Sequence, residues 1–113
     1  MTLRIFRVTV RGRFGELAEP VRARLLTDAA AHDVVKAAFT EAGTLTYERT
    51  LHSFTFRFRL RDDSEAEADA DSRATVMADA EARATAWLEE LGATWSALRV
   101  DAHDMADVWT SRT

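Results

Sequence analysis

Between positions 54 and 61 the chain reads FTFRFRLR, with Phe54, Phe56, Phe58 and Leu60 at the even positions and, after Thr55, Arg57, Arg59 and Arg61 at the odd ones. A period of two sends successive side chains to opposite faces, so this stretch predicts a strand with one buried and one presented side. The same alternation runs through residues 3–13, where Phe6, Val8 and Val10 oppose Arg7, Thr9, Arg11 and Arg13. Pro20 suits the first turn of a helix, and Val21, Leu25, Leu26 and Ala29 follow at helical spacing, which predicts a helix over about 19–31. DVVKAAFT then reads as a short strand, and EAG at 41–43 supplies the glycine of a hairpin turn.

From Thr44 to Arg61 the pattern is almost continuously strand-like, but its phase changes. Leu45, Tyr47 and Leu51 are odd, whereas Phe54 to Leu60 are even. A slip of one residue exchanges the two faces, so something near His52 and Ser53 has to absorb it. TLHS offers no glycine, asparagine or proline for a tight turn, which favours a β-bulge in one long bent strand. Ser64 and Glu67 have capping-box spacing and open a long helix with an apolar stripe of Met77, Ala80, Ala84, Trp87, Leu88 and Leu91, closed by Gly92. A last strand over about 95–102 sets Leu98 and Val100 against Trp95, Arg99 and Asp101, and HDMADVW reads as a short turn or helix.

The order β-α-β-β-α-β in 113 residues predicts a single α+β domain over 1–113, a ferredoxin-like sandwich. Its antiparallel sheet would run 4-1-3-2, with both helices on one face and the other face uncovered. If the phenylalanines pack beneath the helices, Arg7, Arg11, Arg57 and Arg59 project together from the uncovered face, with Arg13 and Arg61 beside them.

Composition adds three points. There is no cysteine, so disulfides, zinc-thiolate sites and thiol nucleophiles are excluded. MTLRIFRVTV reads as a strand and has neither a signal-peptide pattern nor a membrane-length apolar run, which places the protein in the cytoplasm without a membrane partner. The net charge of −4 is unevenly divided: residues 1–61 carry eleven basic and six acidic side chains, and residues 62–113 carry four and thirteen. Such a split means that the halves neutralise each other or that each faces its own partner.

An arginine face requires either full solvation or a counter-charge. RNA-recognition domains stack bases on exposed aromatics of a comparable sheet, but here the phenylalanines have the inward phase and only Trp95 is a candidate for the open face, which argues against nucleic acid. A carboxylate or phosphate held by forked guanidinium contacts, or an acidic protein surface, fits better. A homodimer is also expected, with acidic residues such as Glu48 and Asp101 or a bound anion between two arginine faces. The alternative is a small α+β-barrel-type biosynthetic enzyme, a cyclase or isomerase, using Tyr47, His52, or His103 with Asp104 as acid–base groups. In the expected topology His32 approaches His103. No cofactor and no metal is called for: the spacing matches no zinc signature, and the acidic run DDSEAEADAD at 62–71 lacks the spacing and glycine of a calcium loop.

RVTVRGRF, HDVVKAAFT with GTLTYER, FTFRFRLR and the closing DMADVW together resemble a family of small actinobacterial proteins of unknown function. The resemblance covers nearly the whole chain, implies one compact domain, and carries no activity. VRGRFGELAEPVRARLL is faintly similar to the phosphate loop of acylphosphatases, but that family's catalytic asparagine has no counterpart in a chain without asparagine.

Overall fold

The computed structural model describes residues 4–62 and 69–105. Four strands, β1 (Arg4–Phe14), β2 (Thr44–Tyr47), β3 (Ser53–Asp62) and β4 (Trp95–Asp104), and two α-helices, α1 (Glu19–Thr27) and α2 (Asp69–Leu91), make an α+β fold. The strands form one open antiparallel sheet in the order β2-β3-β1-β4. Along β1 and β3 the period-two pattern decides the facing: Phe6, Val8, Val10, Phe54, Phe56, Phe58 and Leu60 are buried, and Arg7, Arg11, Arg59 and Arg61 are exposed. One core cluster joins these side chains to Leu25 of α1 and to Val76, Ala80, Ala84 and Leu88 of α2.

Helix α2 buries a stripe at i, i+4 spacing, and its alanines let the helix axis approach the sheet closely enough for Trp87 to reach Phe56, 5.2 Å between ring centroids. Gly92, at φ +76°, ends it. The capping box at Ser64 and Glu67 lies outside the described residues. Helix α1 starts with Pro20 in its first turn and is shorter than expected, because the chain tightens into a 3-10 turn at Ala29–His32 after Thr27.

Two expectations about strands are corrected. DVVKAAFT is not a strand: Asp33 Oδ1 accepts a hydrogen bond from the Val35 N–H and opens a second 3-10 turn, Val34–Lys36, with Val34 and Val35 66 % and 81 % exposed. An aspartate bonded to the backbone two residues on competes with strand pairing. Within this segment Thr40 forms an isolated parallel bridge to Phe58.

Residues 44–61 are likewise not one long bent strand. They form a hairpin in which β2 pairs antiparallel with β3, from Thr44 opposite Arg57 to Tyr47 opposite Phe54. The phase change is taken up by a turn in which the Leu51 N–H bonds the Glu48 carbonyl at 2.9 Å and Leu51 itself adopts φ +55°. Leucine rarely occupies that region. Here its side chain is buried in the core, which offsets the backbone strain. At the other end of β2, Gly43 has φ +87°, and a Cβ there would stand 2.2 Å from the Phe58 ring, so the position excludes any side chain.

Strand β4 carries a register shift between Arg11 and Arg13, centred on Ala97 at φ +55°. The shift turns Trp95 inward against the core, opposite Phe14, so it does not lie on the open face.

Candidate functional site: the arginine face and its adjoining cleft

The sheet surface turned away from the core is built by pairing register. Arg7 of β1 stands opposite Arg59 of β3 and His103 of β4; two residues on, Thr9 stands opposite Arg57 and Asp101; two further, Arg11 stands opposite Thr55 and Arg99. Arginines therefore occupy directly opposed backbone positions at Arg7–Arg59 and Arg11–Arg99. Thr9, surrounded by Arg7, Arg11, Arg57 and Asp101, is buried although neither described α-helix packs on this side of the sheet. Arginine stems cover the sheet while their heads stay at the water boundary.

Arg57 is the least exposed of the four predicted ligand arginines. It donates to Thr46 Oγ1 at 2.8 Å, which fixes its head over the β2–β3 pair. Desolvation by burial, and then the positive charge of Arg11, hold its pKa below the usual arginine value. Arg7 lies over the ring of Phe39 at 5.3 Å, so one aromatic from the segment before β2 does reach the arginine cluster. The sequence pattern concealed this, because 33–40 reads as a strand and Phe39 has no helical or strand periodicity to reveal it. Arg61 comes within 3.9 Å of Glu41, both well exposed, a pair worth little in energy.

Beside Arg57 the surface descends into a cleft of about 550 Å³. Its floor is the β2–β3 hairpin at Thr46, Thr55 and Arg57, and its far wall is the 3-10 region at Ala30, Asp33 and Val34. The mouth carries Arg49 and Glu48 from the hairpin loop. The Thr44 hydroxyl ties the same wall to β2 by donating to the Ala38 carbonyl at 2.6 Å. The cleft arises from the two features that sequence patterning misplaced, the 3-10 turns and the tight hairpin.

The residues expected to act as acid–base groups are separated. Tyr47 is buried, donates its hydroxyl proton to the Leu25 carbonyl at 2.7 Å, and stacks on His32 at 5.2 Å. Burial, and then the charge of Asp28, push its pKa up to about 12. His32 in turn gives its Nδ1–H to the Leu45 carbonyl at 2.9 Å, since a carbonyl can only accept. His52 is exposed in the hairpin loop, where its backbone carbonyl accepts from the Phe14 N–H.

His103 is exposed on the arginine face opposite Arg7, whereas Asp104, next along the strand, is buried on the other side opposite Phe6. A strand sends neighbours apart, so these two do not form a pair. The expected approach of His32 to His103 is overturned as well. His32 binds β2 and His103 lies on β4, the opposite edge, roughly 14 Å away across three strand spacings.

A polar cluster at the end of the sheet had no sequence signal. Asp62 and Asp104 are both buried; Asp62 accepts from Ser72 of α2, and Arg73 donates to the Ala102 carbonyl while lying over Phe6 at 5.8 Å. Among the described residues, no group of three or more His, Asp and Glu side chains is arranged to hold a metal ion. No described helix is long and apolar enough to cross a membrane.

No curated protein and no solved structure matches the chain. A family model does, over residues 1–113, the whole of the fold and both parts of the surface just described. The protein belongs to the family of unknown function DUF6204.

Proposed function

We propose that this protein is a cytoplasmic ferredoxin-like domain that binds a small anionic molecule where the arginine face meets the cleft, with Arg57 at the junction and Arg7, Arg11 and Arg59 around it. One observation carries the reading: like charges stand at directly opposed positions, Arg7 with Arg59 and Arg11 with Arg99, on a sheet face turned away from both described α-helices. Cross-strand like-charge pairs are destabilising, and an anion reverses the sign of that interaction. The adjoining cleft supports a small molecule over an acidic protein surface, because Arg57 and Thr55 line its floor and carry side-chain donors. Counted from the β4 edge the strand order is 4-1-3-2, which supports the ferredoxin-like description.

A thermal-shift screen of phosphorylated and carboxylated metabolites tests the proposal. Ligand at about one hundred times its dissociation constant stabilises by about 2.7 kcal/mol, a readily measured shift. The double variant Arg57→Gln with Arg59→Gln is expected to fold and to lose that shift. Hits that persist undiminished in the double variant would place binding elsewhere and reduce the arginines to a solvated surface.

A further inference from the structure

The outer edge of β4 carries a pattern that anion binding does not use. Among the described residues β4 pairs with β1 alone, so one side of this ten-residue strand has no described strand beside it. Edge strands are commonly blunted by lysine, proline, bulges or brevity. Here a bulge at Ala97 ends the regular edge on one side, but Leu98–Asp104 contains neither lysine nor proline. Leu98 and Val100 are only half-buried on its inner side, while Arg99 and Asp101 alternate on its outer side.

The charges select a register. Two copies related by a twofold axis perpendicular to the sheet pair antiparallel, and each inner face stays on the same side only when one residue lies on the axis opposite its own copy. With Arg99 on the axis two guanidinium groups collide, and with Asp101 there two carboxylates do. With Ala102 on the axis, Val100 stands against Asp104. With Val100 on the axis, Val100 meets Val100, Leu98 meets Ala102, and Arg99 meets Asp101 twice.

We propose that the protein forms a homodimer in which β4 pairs antiparallel with β4 of a second copy, Val100 lying on the twofold axis. The product is an eight-stranded sheet with the helices of both copies on one face and a continuous arginine face on the other. Arg99, which stands beside Arg11, thereby gains a carboxylate from the second copy. The Ala102 carbonyl already accepts from Arg73, and a carbonyl oxygen carries a second lone pair. This dimer rests on strand pattern and register, and does not depend on the anion-binding reading.

The absence of cysteine makes the test clean. The wild-type chain is expected to sediment as a dimer, and Val100→Cys to form an intermolecular disulfide under mild oxidation, since directly opposed residues lie about 4.5–5.5 Å apart. Ala102→Cys is expected not to cross-link to its own copy, because the register separates the two by roughly 14 Å. Asp101→Arg should weaken the dimer at least tenfold by setting arginine against Arg99, and the exchange Arg99→Asp with Asp101→Arg should restore it. A monomer at all concentrations, cross-linking of Ala102→Cys in preference to Val100→Cys, or an exchanged variant no better than Asp101→Arg alone would each overturn the proposal.

Discussion

Tyr47 is the one tyrosine of the chain, so its phenolate absorbance can be followed without interference from another. Its hydroxyl is committed to the Leu25 carbonyl, and its pKa of about 12 lies above the ordinary 10.0. The folded protein therefore holds a proton that the unfolded chain releases between those values. The stabilisation is fully present below about pH 10 and is lost as pH rises through about 12. An alkaline spectrophotometric titration should show no phenolate near pH 10, with ionisation at about 12 or coincident with unfolding; a midpoint at 10 would contradict the burial. Tyr47→Phe should cost about 1–2 kcal/mol in denaturant unfolding, mainly from the unsatisfied Leu25 carbonyl. None of this was legible in GTLTYER. The position of a tyrosine on a strand is visible in sequence, but the carbonyl that claims its hydroxyl lies on another element.

At the scale of elements, the strands that alternate cleanly were legible, and those whose geometry depends on distant packing were not. FTFRFRLR and RIFRVTVRGR declare their faces because each residue's environment follows from its parity alone. The 48–52 turn hid because turn chemistry in sequence is read from glycine, asparagine and proline. Here a leucine takes the left-handed position, and the core, not the local sequence, holds it there. Leu51→Ala should accordingly cost about 2–4 kcal/mol, the range of buried leucines, despite lying in a hairpin loop. Equilibrium urea unfolding measures it, and a cost below about 0.5 kcal/mol, as for ordinary surface sites, would show that Leu51 packs against nothing of consequence. The inward turn of Trp95 escaped for a related reason: a bulge at Ala97 resets the phase of β4, and alanine gives no warning of a positive φ.

Across the whole molecule, the uneven charge along the sequence becomes an uneven charge in space, with arginines of three different strands gathered on one sheet surface. The arginine face was legible because strand phase alone sends those side chains outward; the cleft that borders it was not, since it is made where a 3-10 segment crosses the hairpin. The face also sets stability against binding. Arg59 stands opposite Arg7 and is exposed, so in the unliganded protein it contributes repulsion and little packing. Arg59→Gln should therefore stabilise the protein by about 0.2–1 kcal/mol at low ionic strength. The gain should shrink in 1 M salt, where the screening length falls to about 3 Å. The same substitution removes a charge-assisted contact of about 1.5–3 kcal/mol from a bound anion, so affinity should fall by about tenfold or more. Thermal unfolding of both proteins, at low and high salt and with and without the anion found by screening, separates the two effects. Stability that rises while affinity falls is the signature of an arginine kept for its ligand, and a salt-independent loss of stability in Arg59→Gln would mark the residue as structural instead.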